Sequence, residues 1–275
     1  MVLIAVGQFC ATSDIEANTA ICMQIVEKAV SQGAKILFLP EASDYLPTPT
    51  KPSHTLCHPP TTSPLLTTLL HLSTHHSLPI LVGVHTPSPL PTHVYNALLY
   101  LTPTSGITAT YNKLHLFTLP SLSISETSST LPGDSLTPPI PTPIGQLGLQ
   151  ICFDLRFGEA LRRLVEMGAE VVCYPSAFTV ETGREHWEVL VRARAVEGQC
   201  WVVAAAQGGD NGEGRRCWGG SLVVDPWGRV RWRGRTVDDG VEGWEVGVVE
   251  VEMGMVQEVR ERLRLVRRGD LFGGC

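Results

Sequence analysis

The chain has 275 residues, 43% of them hydrophobic and 17% charged, with a formal net charge of -6 and a pI near 5.8. A chain of this size buries a core of its own without disulfide or metal staples, and its acidity argues against an extended nucleic-acid footprint. No apolar run reaches the roughly 20 residues that span a bilayer, and the apolar start from Met1 to Cys10 lacks a basic leader, so the expectation is a cytoplasmic protein with reduced cysteines.

In chain order, near-continuous hydrophobic runs of strand length cover 3–9, 35–39, 80–85, 95–101, 147–152, 170–174, 201–206, 220–225 and 244–251. Such runs fit strands covered on both faces. Helical patterns occupy 14–31, 64–76, 159–167, 185–198 and 253–266, and Ser13 with Glu16 three residues later reads as a capping box opening the first. Strands alternating with helices predict a layered α/β fold. The Pro/Thr/Ser-rich tracts at 47–64 and 118–143 read as surface loops inserted in a single domain spanning 1–275. The glycine-rich segment from Gly208 to Gly214 carries no nucleotide-binding fingerprint and reads as a polar hairpin or loop.

Three segments deliver a reactive side chain just past the end of an apolar strand: Ile36-Leu37-Phe38-Leu39-Pro40-Glu41, Thr110-Tyr111-Asn112-Lys113 and Leu149-Gln150-Ile151-Cys152. Sites in α/β sheets gather beyond the carboxyl ends of strands, so a carboxylate, an ammonium and a thiol can converge there. Together they suffice for acyl transfer. A cysteine attacks as thiolate and needs a base, which Glu41 can be; Lys113 and the backbone N–H of Phe153 can stabilise the oxyanion. Each residue also has a plainer reading: Cys152 or Cys173 as a small core side chain, Glu41 as a turn cap, Lys113 as a solvated lysine.

The blocks Phe38-Leu39-Pro40-Glu41-Ala42, Tyr111-Asn112-Lys113-Leu114-His115-Leu116-Phe117 and Ile151-Cys152-Phe153-Asp154-Leu155-Arg156-Phe157 resemble, in order, the Glu, Lys and Cys motifs of the nitrilase (carbon-nitrogen hydrolase) superfamily. The resemblance runs from Val6-Gly7-Gln8 to Asp270-Leu271-Phe272. It implies a four-layer αββα sandwich, Cys152 as nucleophile with Glu41 and Lys113 completing a triad, Glu126 as a supporting second glutamate, no cofactor, no metal, and a homodimer that could use the segment from Met253 onward. The stretches around Pro175-Ser176-Ala177-Phe178-Thr179, His186-Trp187-Glu188 and Arg192-Ala193-Arg194 resemble the Nit-type amidases, most of all the deaminated glutathione amidases rather than their ω-amidase sisters. That branch implies a small carboxylate-bearing amide as substrate. Arginine's planar fork suits such a carboxylate, so Arg156 and Arg194 are candidate contacts, with a structural salt bridge beside Glu188 and Glu197 as the equal alternative for Arg194, and Phe178, Thr179 and His186 as further pocket residues.

Two other classes compete. A metal site would rest on His71 and His75, or on His54, Cys57 and His58, but neither set has a second ligand pair at structural zinc spacing. A non-catalytic binding module should lack at least one of Glu41, Lys113 and Cys152, and all three are present.

Overall fold

The computed structural model describes residues 1–119, 124–266 and 268. The Asp270-Leu271-Phe272 end of the family resemblance lies outside the described residues, as does part of the Pro/Ser/Thr-rich tract at 118–143. Among the described residues there are two large sheets. The first, of seven strands, runs in the order Trp244–Val251, Val2–Phe9, Leu37–Phe38, Ile80–Pro87, Val94–Thr102, Gly106–Asn112, with Thr130–Leu131 alongside Val94–Thr102. The second, of six, is ordered Val230–Arg233, Leu222–Val224, Trp201–Ala204, Val171–Cys173, Gly145–Leu149, Ile140–Thr142.

The strands read as continuous apolar runs because both faces of each sheet are covered. In Val2–Phe9, Ile4 and Val6 face the second sheet, while Ala5 and Phe9 face the helices Ile15–Ser31 and Pro64–His76. The helices Gly158–Glu166 and Glu188–Gly198 cover the far side of the second sheet. The order helix, sheet, sheet, helix is the αββα sandwich. Between the sheets, Phe38, Leu81 and Leu98 of the first lie against Cys173, Val203 and Ala205 of the second.

Most elements form where expected, with shorter ends. The run 35–39 yields only Leu37–Phe38 as strand, and 253–266 yields the helix Gly254–Arg262. The expected helix 185–198 opens instead with a wide π-type turn, Gly183–Trp187, before Glu188–Gly198. The capping box is not made. Asp14 caps the first helix by accepting from Ala17 N at 2.9 Å, because Ser13 is engaged by Glu213, whose oxygens take its N–H at 2.7 Å and its hydroxyl at 2.6 Å. The glycine-rich segment does form a hairpin, Gly208–Asp210 against Arg216–Trp218. Among the described residues no helix is long and apolar enough to cross a membrane.

Strand direction decides where the site falls. Val2–Phe9, Leu37–Phe38 and Ile80–Pro87 are mutually parallel, and two successive antiparallel pairings return Gly106–Asn112 to the same direction. The carboxyl ends that precede Glu41 and Lys113 therefore share one edge. In the second sheet Gly145–Leu149, Val171–Cys173 and Trp201–Ala204 are also parallel, and Cys152 follows the first of them.

Candidate active site

Glu41 is set by a tight crossing of backbones. Gly83 lies so close beneath it that a Cβ there would be 2.5 Å from the Glu41 Cα and 2.7 Å from the Pro40 carbonyl oxygen, so only glycine fits. The following residue, Ala42, takes φ of 55°, and Gln207 pins that turn by donating to the Glu41 carbonyl at 2.9 Å. Lys113 leaves its strand with its N–H on the Asn96 carbonyl at 2.9 Å. Cys152 occupies the left-handed region at φ 46°, opening the short turn Cys152–Arg156, with its N–H on the Pro175 carbonyl. A left-handed cysteine costs about 1 kcal/mol, which the packing around it sustains.

These backbones bring the three predicted groups together. Lys113 Nζ lies 2.9 Å from Glu41 Oε1 and 2.9 Å from each Glu126 oxygen. Asn96 donates to Glu41 Oε1 at 2.7 Å and to Glu126 Oε1 at 3.2 Å, and Phe117 N–H donates to Glu126 Oε2 at 2.6 Å. The Cys152 thiol lies beside the Glu41 carboxylate, close enough for each to perturb the other's titration. Glu41, Lys113 and Cys152 are buried, and Glu126 is partly exposed at the cavity wall.

The charge states follow from this geometry. Burial pushes the Glu41 carboxyl up, but the charge and hydrogen bond of Lys113, with the bonds from Cys152 and Asn96, outweigh it and hold the group below its usual value. Burial also opposes charge on Lys113, yet Glu41 and Glu126 hold it well above the ordinary lysine range. The Cys152 thiol is driven well up by burial and by Glu41, against weaker help from Lys113 and the Ala177 N–H. At rest the set is carboxylate, ammonium and neutral thiol, so a base waits beside the nucleophile. Phe153 N–H lies in the first turn after Cys152, where amides have no intrahelical acceptor.

The triad opens into a cavity of about 630 Å³, whose wall includes Phe153, Arg156, Phe178, Thr179 and Arg215. Arg156 donates to His186 Nδ1 at 3.0 Å and lies over the rings of Phe153 and Phe178, at 5.6 and 5.7 Å. His186 itself is not on the cavity wall; it braces Arg156 from behind. Arg194 is not on the wall either. It is buried, donates to the Leu155 carbonyl at 2.9 Å and pairs with Glu197 at 2.6 Å, so of its two readings the structural salt bridge is the one the structure forms, in place of the carboxylate contact. Cys173 is a core residue between the sheets, its thiol pushed up to about 12 by burial. Among the described residues no group of three or more His, Cys, Asp or Glu is placed to hold a metal ion.

Residue-by-residue reading missed two supports. Asn96 bridges both glutamates, and Asp154 is fully buried, with Oδ2 accepting from Tyr111 OH at 2.7 Å and Oδ1 from His115 N–H at 3.0 Å. A polar side chain in an otherwise apolar strand was the available signal for Asn96.

The pattern of the carbon-nitrogen hydrolase family matches residues 3–261. The chain belongs to the carbon-nitrogen hydrolase family. It is 38% identical over 278 residues to a protein of Schizosaccharomyces pombe named "Probable hydrolase nit2", covering 99% of both chains. It is 39% identical to the deaminated glutathione amidase of Bos taurus, over 98% of this chain and 83% of that one. Among solved structures, the Caenorhabditis elegans NitFhit protein superposes with a TM-score of 0.88 at 33% identity, over 98% of this chain and 66% of the worm chain. A carbon-nitrogen hydrolase that pairs a buried carboxylate, an ammonium and a thiol is a hydrolase of amide C–N bonds.

Proposed function

We propose that this carbon-nitrogen hydrolase, read as one domain over 1–275, is a thiol amidase that hydrolyses deaminated glutathione to 2-oxoglutarate and cysteinylglycine. The observation that carries the reading is the meeting of the Cys152 thiol, the Glu41 carboxylate and the Lys113 ammonium bonded to it at 2.9 Å, on the wall of one cavity shared with Arg156. Cys152 attacks the amide carbonyl as its proton passes to Glu41. The oxyanion is met by the Lys113 ammonium and the Phe153 N–H, donors already oriented before charge develops. Collapse expels cysteinylglycine, whose amine takes the proton back from Glu41. Water, deprotonated by Glu41, then cleaves the thioester and frees 2-oxoglutarate, so the two steps together consume one water. Glu126 keeps Lys113 in place and borders the space where substrate and water sit.

Carboxylate recognition is supported by Arg156, which has no carboxylate within 4.0 Å among the described residues. The substrate identity draws on relatives such as the bovine enzyme. A homodimer is part of the same proposal, on the family resemblance, and a cytoplasmic address suits a nucleophile that must remain a reduced thiol.

The test follows product release by wild type and Cys152→Ala from deaminated glutathione and 2-oxoglutaramate in parallel. Preference for the first, abolished in the variant, is the expected result. Preference for 2-oxoglutaramate would make the protein an ω-amidase, and turnover of neither would overturn both substrate assignments and leave the fold standing.

A further inference from the structure

The cavity wall carries more positive charge than the triad consumes. Of its three acids, Glu41 and Glu126 are both spent on Lys113, and Glu181 makes no ion pair among the described residues. Arg216 stands 3.9 Å from Asp210, but Arg215, like Arg156, has no carboxylate within 4.0 Å among the described residues. Two guanidinium groups without a carboxylate partner thus border one cavity, which Glu181 also lines.

They are not equivalent in position. Arg156 rides on the nucleophile's own turn, and its charge is felt at Cys152. Arg215 comes from the tip of the hairpin formed by Gly208–Asp210 and Arg216–Trp218, which follows directly on Gln207, the residue bonded to the Glu41 carbonyl at 2.9 Å; its charge is felt first at Cys217 in the hairpin and then at Glu41. In amide cleavage the acyl group ends on the thiol and the leaving amine takes its proton from Glu41. The guanidinium nearer the thiol therefore attends the acyl portion, and the one nearer the carboxylate attends the leaving portion.

The hairpin tip is built to hold Arg215 still. Asn211 Oδ1 accepts from Glu213 N at 2.9 Å and from Arg215 N at 3.1 Å, and Asn211 N–H donates to the Arg215 carbonyl at 3.1 Å. Glu213 in turn is clamped to Ser13, whose hydroxyl also accepts from Lys51 at 3.1 Å. On the other side, Trp218 N–H donates to the Phe178 carbonyl at 3.0 Å, joining the hairpin to the cavity wall. Side-chain freedom is the main cost of an arginine contact, and anchoring its backbone lowers it.

We propose that Arg215 is a specificity-determining residue that binds a carboxylate on the leaving-group side of the scissile amide, while Arg156 binds the carboxylate of the acyl side. The assignment rests on the amidase reading above and narrows it: the preferred substrate is an amide with an anionic group at both ends.

The experiment compares deaminated glutathione with the same molecule carrying a carboxamide in place of its glycyl carboxylate, so that the bond cleaved is unchanged. Wild type should favour the carboxylate by tenfold or more in kcat/KM, mainly through KM, as expected for loss of one charge-assisted bond. Arg215→Gln should bring that ratio near one, Arg215→Lys should leave it intermediate, and Arg156→Gln should lower kcat/KM for both substrates while keeping the ratio. A wild type indifferent to the carboxylate, or an unchanged ratio in Arg215→Gln, overturns the assignment while the amidase reading stands. If Arg215→Gln does not fold, the wild-type ratio and the lysine variant still decide it. Turnover of neither substrate by wild type overturns both readings together.

Discussion

Tyr111 and Asp154 meet across the two sheets, the tyrosine hydroxyl donating to Oδ2 of the fully buried carboxylate at 2.7 Å. Tyr111 lies two residues before Lys113 and Asp154 two residues after Cys152, so this bond sets the ammonium-bearing loop against the turn of the thiol. Ile151 N–H and His115 N–H, each at 3.0 Å, and the His115 ring Nδ1 at 2.7 Å are the carboxylate's other partners. Tyr111→Phe should cost about 1–3 kcal/mol of stability, the range for a buried acceptor losing one partner. It should lower kcat more than it raises KM, because the substrate-binding wall is untouched. Urea unfolding and steady-state kinetics check both; a rise in KM alone would show that the bond does not position the triad.

Lys113→Gln should invert the pH dependence of stability. In the wild type the Glu41 carboxyl is held below its reference value of 4.5, so its contribution is fully present above that value and is lost as pH falls through the folded pKa. Without the ammonium, burial governs and Glu41 faces Glu126 across Asn96, which raises its folded pKa. The variant should then lose stability as pH rises. Its deficit against wild type, measured by urea unfolding, should be on the order of 3 kcal/mol near neutrality and smaller at about pH 5.

Because the resting thiol is neutral and Glu41 is the charged partner, kcat/KM should not climb toward the free-thiol pKa of about 8.5. Its acid limb should instead follow Glu41 and lie below 4.5. A pH–rate profile with deaminated glutathione reads this directly. A tenfold rise per pH unit between about 6 and 8.5 would mean that a pre-ionised thiolate is the attacking species.

Gly83→Ala should be disproportionately damaging for one added methyl. The new Cβ meets backbone, not a movable side chain, 2.5 Å from the Glu41 Cα. A loss of about 1–3 kcal/mol is expected, as for overpacking, with kcat reduced by the shift of the carboxylate. Gly254→Ala, in a helix with no atom within 4 Å of the added Cβ, is the control and should be neutral or slightly stabilising.

The sequence made Glu41, Lys113 and Cys152 legible because each closes an apolar strand with a single reactive group, and the fold needs only parallel strands to collect them at one edge. It could not separate Arg156 from Arg194, two arginines near the same motifs; what separates them is that, among the described residues, Leu155 O and Glu197 occupy Arg194 while His186 and aromatic rings border Arg156. The capping role of Ser13 failed for a similar reason. Its partner Glu213 is 200 residues away, and no local pattern announces such a competitor. Asn96 was hidden inside a strand whose two faces are both covered, so alternation of polar and apolar residues carried no information there.

The carboxylate and the ammonium belong to one sheet and the thiol to the other, joined through the stretch 132–139 and again where the chain returns from Val230–Arg233 to Trp244–Val251. Neither side of 132–139 carries the whole triad, so a state in which the layers part should be inactive. Amide turnover is therefore a gauge of sheet docking. Two fragments separated within 132–139 should recover turnover only when mixed, in proportion to their reassociation, which makes the protein a natural complementation reporter of its own assembly.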